Sequence, residues 1–484
     1  MLHMKLNNAS LFQQSCFING KWIHAKKTIQ VNNPATEENI GTVPDLETAN
    51  VLDAIAAAAA AWPMWRSKTA VERGELLYRW YTLILENIDD LARLLTIEQG
   101  KPIREAKEEI RYGASFIQWF SEEGKRIYGD IIPAPLANQH LFVNKQSVGV
   151  VGAITPWNFP NAMITRKCAP ALAAGCSIVL KPSGLTPFSA LALAVLAEKA
   201  GIPPGVFNIV TGNSELIGTI FTDSSSIRKL SFTGSTAIGK LLMQKAANSV
   251  KKISLELGGN APFIVFDDAD INQAILGAIA SKFRNSGQTC ICTNRFYIHE
   301  KIYERFTKKL ADAIQQLKVG NGLEDTVQIG PLINQAAVKK VEKHITDALH
   351  QGAELVCGGK IHTLGGSFFQ PTLLKNCTAT MLIAKEETFG PVAALFKFSE
   401  EKEVIDLANA TEYGLAAYFY TKKVDRVIHV AQQLDYGIVG VNTGRASNEV
   451  APFGGFKQSG IGREGSKYGI EDYLEIKYIC LNTE

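Results

Sequence analysis

At 484 residues and 52.8 kDa, with 46% hydrophobic and 20% charged residues, the chain has room for two or three domains, each with its own core. Fifty Lys and Arg against 47 Asp and Glu leave a net charge of +3 with no basic block, so the electrostatic footprint of a nucleic-acid binder is missing. No apolar run reaches the roughly 18–20 residues needed to span a bilayer, and Met1 to Asn8 lacks a basic stretch followed by an apolar one, so neither a membrane partner nor a secretory signal is expected.

The longest apolar candidate, residues 54–65, is an alanine-rich helix expected to break at Pro63. It lies in a long helical region, residues 47–126, with mixed polar and apolar faces. From about Val148 short apolar runs alternate with helical patterns. Strands are predicted at 148–154, 176–180, 206–210, 230–232 and 253–257, with helices at 161–174 (despite Pro170), at 187–200 and from Thr233-Gly234-Ser235 to about Asn248. Five strands alternating with helices predict an α/β doubly wound, Rossmann-like unit. A second αβ alternation follows: strand 262–266, helix 270–284, strand 296–299 and helix 300–317. A glycine-rich stretch spans 442–465.

Eight cysteines scattered along the chain read as reduced thiols of a cytoplasmic protein. There is no HExxH and no paired CxxC, and the histidines lack metal-ligand spacing, so no metal is expected. Cys290 follows the polar turn Gly287-Gln288-Thr289, where a side chain can face a cleft. A thiol there is either a small core hydrophobe or a nucleophile awaiting a base. Glu256 interrupts an apolar strand, and burying it alone is costly, so it is either ion-paired or a base with a raised pKa. Asn158, just past a strand of the nucleotide unit, either makes an Asx turn before Pro160 or donates its amide to an oxyanion. Gly234-Ser235-Thr236-Ala237-Ile238-Gly239 stands at a strand-to-helix junction, where free N–H groups suit a phosphate; it is not GxGxxG and also fits a plain capped turn.

Taken together, Pro156-Trp157-Asn158-Phe159-Pro160, Lys181-Pro182, Phe232-Thr233-Gly234-Ser235, Leu255-Glu256-Leu257-Gly258-Gly259, Gly287-Gln288-Thr289-Cys290 and Glu387-Thr388-Phe389-Gly390-Pro391 resemble the NAD(P)-dependent aldehyde dehydrogenase superfamily in order and spacing. The likeness is closer still to bacterial succinate-semialdehyde dehydrogenases, through residues 159–170, Lys282-Phe283-Arg284-Asn285 and residues 447–455. It implies the aldehyde dehydrogenase fold: an NAD(P)-binding domain of residues 1–128 and 147–257, a catalytic domain of 258–462, and an oligomerisation element of 129–146 and 463–484. Homotetramers or homodimers are implied with it.

The same resemblance implies roles. Cys290 would attack the aldehyde to give a thiohemiacetal and then a thioester, Asn158 would hold the oxyanion, and Glu256 would activate the hydrolytic water. Ile154, Pro156, Trp157, Lys181, Ser183, Gly184, Gly234, Ser235, Leu257, Glu387 and Phe389 would form the cofactor site. Many NAD-using members carry a glutamate where Gly184 stands. Without that carboxylate, Lys181 and Ser183 can meet a 2′-phosphate, which favours NADP over NAD. Arg166 and Arg284, with Ser447, resemble a clamp for a terminal carboxylate, each arginine having a protein ion pair as its plainer role. The expected substrate is succinate semialdehyde. Glutarate semialdehyde is the near rival, since one methylene discriminates by only ~1–3 kcal/mol. A cofactor-independent esterase and a non-catalytic relative are the remoter alternatives. Arg445 stands where close relatives tend to be apolar, and either adds a third cation or points to solvent. Cys292, two residues from Cys290, would face the same side if the segment were extended, as some relatives with a reversible disulfide suggest.

Overall fold

The computed structural model describes residues 5–483, so Met1 to Met4 of the N-terminal stretch and Glu484 lie outside it. Two large sheets and two small ones organise the described residues, the smallest being the antiparallel pair Thr28–Asn32 and Asn39–Pro44. The first sheet runs in the order Gly460–Ile461, Lys252–Glu256, Ile227–Thr233, Val150–Ile154, Ser177–Lys181, Phe207–Ile209, Cys16–Ile18 and Lys21–Ile23. The five strands from Lys252–Glu256 to Phe207–Ile209 are parallel, whereas the outer pairings are antiparallel. Parallel strands are covered by helices on both faces, which is why they read as unbroken apolar runs such as Val150-Val151-Gly152-Ala153 and Ile178-Val179-Leu180, all buried.

Register decides what the carboxyl edge of this sheet presents. Ile154 pairs with both Lys181 and Phe232, and Thr233 pairs with Glu256. The ends of four parallel strands thus form one row, in the place where doubly wound sheets bind ligands.

The second sheet runs in the order Glu354–Cys357, Thr372–Lys375, Val392–Phe398, Thr293–His299, Ala261–Val265, Ala416–Tyr420 and Ile438–Val441, parallel except for its first pair. The chain passes from one sheet to the other through residues 257–260. The carboxyl edge of the first sheet therefore faces the amino edge of the second. A third, antiparallel sheet joins Leu474–Asn482, Gln139–Ser147 and Asp130–Ile132.

Several elements differ from the sequence reading. The Thr48–Ser67 helix runs through Pro63 instead of breaking there. Trp65 beyond it is wholly buried and donates Nε1 to the Leu172 carbonyl (3.0 Å), so tertiary anchoring holds the last turn that Pro63 weakens. A helix at Ser214–Asp223 and the antiparallel strands Cys16–Ile18 and Lys21–Ile23 were not foreseen. The short strand Gly460–Ile461 pairs with Glu256 and Leu255 of the first sheet, although in sequence it belongs to the segment after the second. Among the described residues no helix is long and apolar enough to cross a membrane, and no group of His, Cys, Asp or Glu side chains is arranged to hold a metal.

Candidate active site

Cys290 lies in the turn that leads into the Thr293–His299 strand, facing the end of Lys252–Glu256. Its main chain is pressed against Gly259: a Cβ there would stand 2.4 Å from the Cys290 carbonyl oxygen. The approach to the turn is strained. Asn285 and Ser286 both adopt left-handed backbone (φ +49° and +56°). The strain is held by a buried polar cluster. The Asn285 N–H donates to Glu105 (2.7 Å), its Nδ2 donates to the Asn158 carbonyl (3.0 Å), and the Ser286 hydroxyl donates to the Gly330 carbonyl (2.8 Å).

The Asn158 side-chain Nδ2 donates to the Gln288 carbonyl (3.0 Å), two residues before the thiol. An amide nitrogen carries two hydrogens, so one is left for an oxyanion. Lys101, buried and ion-paired with Glu109, donates to the Asn158 carbonyl (2.9 Å) and fixes this loop from behind.

The electrostatics divide the acids and bases. Burial pushes the Cys290 thiol up to about 12, with Glu387 and Glu256 adding to the rise and Arg166 opposing it. Glu256 is 4% exposed, and its Oε2 has no hydrogen-bond partner among the described residues. Burial, and then the nearby Glu464, hold its carboxyl well above the ordinary range. Burial raises Glu387 to about 7.

Two cavities share Pro156, Trp157, Thr233, Gly234 and Ser235, forming one cleft along the strand-end row. The inner one, about 400 Å³, reaches Cys290, Asn158, Leu257, Glu387 and Phe389. Phe389 is left-handed (φ +56°) and meets Trp157 edge-on, with ring centroids 5.5 Å apart. The outer one, about 670 Å³, is lined by Ile154, Lys181 and Ser183, together with Ser214, Glu215, Thr219 and Lys245, which the sequence reading missed. Lys181 is almost fully buried; among the described residues its Nζ donates only to the Pro182 carbonyl (3.2 Å), and burial lowers its pKa to about 8. Gly184 does not line the cavity, and a Cβ added there would meet nothing within 4 Å.

On the other side of the thiol a cavity of about 160 Å³ touches Thr289 and Ile291, the neighbours of Cys290. Arg284, Ser447, Tyr112, Arg445 and Glu108 line it. Arg284 stacks on Phe159 (4.9 Å to the ring) and has no ion-pair partner among the described residues. Ser447 and the Tyr112 hydroxyl are hydrogen-bonded.

Arg166 is placed differently from Arg284 and does not line this cavity. It is 1% exposed, its Nη2 is 2.6 Å from Glu464, and it packs over Phe453 (3.9 Å). Its charge is committed to a protein carboxylate, which Lys167 shares at 2.6 Å. Cys292 also departs from the reading. Residues 289–292 form a turn, closed by the Cys292 N–H to the Thr289 carbonyl (3.0 Å), so the extended geometry that would align the two thiols is absent. The Cys292 sulfur instead accepts from the buried Lys282 Nζ (3.2 Å). Glu464, Lys167, Tyr112 and Glu108 carry no local sequence signal; only the fold brings them here.

Comparison with known proteins gives the same picture over the full length. The Aldehyde dehydrogenase family profile matches residues 22–479. The chain is 60% identical to the succinate-semialdehyde dehydrogenase [NADP(+)] GabD of Escherichia coli (strain K12), covering 99% of this chain and 100% of that protein. It is 59% identical to the glutarate-semialdehyde dehydrogenase of Pseudomonas aeruginosa, covering 99% of each. The crystal structure of succinate-semialdehyde dehydrogenase from Burkholderia pseudomallei superposes with a TM-score of 0.98 at 59% identity, covering 99% of this chain and 100% of that one.

Proposed function

The chain belongs to the aldehyde dehydrogenase family, and on that premise we propose that it oxidises succinate semialdehyde to succinate with NADP. Glutarate semialdehyde is the second substrate reading and NAD the second cofactor reading. One observation carries the substrate class: Arg284, a guanidinium with no carboxylate in ion-pair contact among the described residues although Glu105 lies near, lines a small cavity against the residues on either side of Cys290. An aldehyde carbon at the thiol then leaves its terminal carboxylate for the guanidinium fork and for Ser447. Arg166, ion-paired with Glu464, supports the charge balance from one layer deeper.

The outer cleft suits a phosphorylated dinucleotide. Lys181 is a buried cation with only a carbonyl partner among the described residues, Gly184 brings no carboxylate near the 2′ position, and Ser235 opens the eleven-residue Thr236–Ala246 helix, whose first N–H groups favour an anion. Lys181 and Ser183 would hold the 2′-phosphate, and Glu387 and Phe389 the nicotinamide end. When bound, the cofactor supplies the acceptor for the aldehyde hydride.

The protein's own part follows from the geometry. Cys290, whose thiol burial holds protonated, gives its proton to solvent water in the cleft and adds its sulfur as the thiolate to the aldehyde carbon. The free Asn158 amide hydrogen and the main chain of the turn hold the resulting oxyanion. Glu256, with an unpartnered oxygen and a raised pKa, takes a proton from the water that cleaves the thioester. In this reading the first sheet with its helices is the cofactor domain and the second sheet is the catalytic domain. The third sheet is an oligomerisation element, and the eight free thiols suit the cytoplasm.

The test is NADPH or NADH formation with succinate semialdehyde and with butanal, which lacks the carboxylate, for the wild type and Arg284→Ala. A preference for the acid that collapses in the mutant supports the reading. Equal rates on both aldehydes leave a dehydrogenase but sink the semialdehyde assignment.

A further inference from the structure

Arg284 is not the only cation of the substrate cavity. Glu108, Tyr112 and Ser115 fall on one face of the Ile103–Glu123 helix, because positions four and three apart are neighbours there. They meet three alternate residues of the facing loop. Arg445 Nη1 is 3.2 Å from a Glu108 oxygen, Ser447 bonds the Tyr112 hydroxyl, and the Ser115 hydroxyl donates to Glu449 (3.2 Å). The loop is fixed where it starts. Gly444 abuts Gly277, whose carbonyl oxygen a Cβ at 444 would meet at 2.1 Å. The Thr443 hydroxyl accepts from the Arg445 N–H (3.1 Å) and donates to the Arg445 carbonyl (3.0 Å). The backbone at Arg445 is thus set, and only its side chain crosses the mouth of the cavity.

The two arginines differ in depth and in company. Arg284 stacks on the buried Phe159, whereas the Arg445 and Glu108 side chains are 57% and 51% exposed. An ion pair that exposed is weak. Exchanging the Glu108 carboxylate for another carboxylate that enters the mouth therefore costs little.

We propose that Arg445 is a specificity-determining residue. It leaves Glu108 to bind the terminal carboxylate of five-carbon ω-carboxy aldehydes, which reaches past Arg284 toward the mouth. This rests on the carboxylate reading of Arg284 given above.

The test compares kcat/KM for succinate semialdehyde, glutarate semialdehyde and butanal in the wild type, Arg445→Leu and Glu108→Gln. Arg445→Leu is expected to lower kcat/KM about tenfold for the five-carbon acid and at most about threefold for the four-carbon acid, through KM, and to leave butanal unchanged. The loss should shrink at high ionic strength. Glu108→Gln, which frees Arg445, should raise kcat/KM for the five-carbon acid. Equal losses on all three aldehydes, or none on either acid, would overturn the proposal. A wild type that treats butanal like the acids would instead sink the carboxylate reading, and this proposal with it.

Discussion

Glu256 ends its strand beside a second buried carboxylate, Glu464, which Arg166 and Lys167 neutralise. Glu464 therefore stays ionised, its pKa below the usual value, while Glu256 is pushed up, which suits Glu256 to the base role proposed above. A base works only when deprotonated. The rate of thioester hydrolysis should accordingly rise with pH through the raised Glu256 pKa, placing the acidic limb of the kcat profile above the ordinary carboxylate range. Glu256→Gln should give one rapid burst of NADPH per site, followed by turnover slowed by about 10²–10⁴; rapid-mixing absorbance checks this, and unchanged steady turnover would remove Glu256 from hydrolysis. At this scale the sequence was informative wherever a residue sat in a distinctive local string. Cys290 in its polar turn and Glu256 in its apolar strand could be picked out and given two readings each. Arg166 could not be separated from Arg284, because both are arginines six residues from a motif. What distinguishes them is Glu464, nearly three hundred residues beyond Arg166 and brought beside it only by folding.

The Phe188–Lys199 helix shows how one element completes another. It is buried along most of its length and its N-cap, Pro187, makes no side-chain cap, so its first N–H groups need a partner from elsewhere. Glu98, at the end of the Ile88–Gln99 helix, accepts from the Phe188 and Ser189 N–H groups (2.8 Å each) and from the Ser189 hydroxyl. Glu98→Ala should lower stability by about 1–3 kcal/mol per buried donor left unpaired, and Glu98→Gln by less, as thermal unfolding would show. Burial raises the Glu98 carboxyl to about 8 from its ordinary 4.5. A raised folded-state pKa contributes stability that is full below the unfolded value and is lost as pH rises through the folded one. The wild-type melting temperature should therefore fall relative to Glu98→Gln between about pH 5 and about pH 9. The central strands were legible because burial on both faces makes them continuous apolar runs. The Ser214–Asp223 helix was not: its ten residues carry a short apolar pattern, and its clearest mark was the Asn213 cap, which accepts from the Glu215 and Leu216 N–H groups. Pro63 misled for the opposite reason, since the contact that keeps its helix intact lies over a hundred residues away at Leu172.

In the molecule as a whole, the third sheet carries apolar side chains that none of the described residues covers: Ile131 (82% exposed) and Leu481 on one face, Ile476 (70% exposed) and Tyr478 on the other. Patches of this kind on a folded protein mark contact surfaces, and the oligomer proposed above puts a second copy of the chain there. Ile476→Asp, or Ile131→Asp on the opposite face of the sheet, should move the sedimentation coefficient toward that of a monomer. A wild type that sediments as a monomer would overturn the assignment. The long-range partnership of this sheet, residues 130–147 with 474–482, left no periodic trace in either segment and entered the reading through family resemblance alone.

The strand that carries Glu256 has Ile227–Thr233 on one side and only Gly460–Ile461 on the other, where Leu255 meets Ile461 and Glu256 meets Gly460. During synthesis the first sheet can gather most of its strands early, from residue 16 onward, yet the outer flank of this strand stays bare until the ribosome has released residues 460–461, some two hundred positions later. Glu464, the carboxylate beside it, emerges later still. A nascent chain stalled short of that point holds Cys290 and Glu256 without the strand that flanks Glu256 and without the carboxylate that adds to burial in raising its pKa.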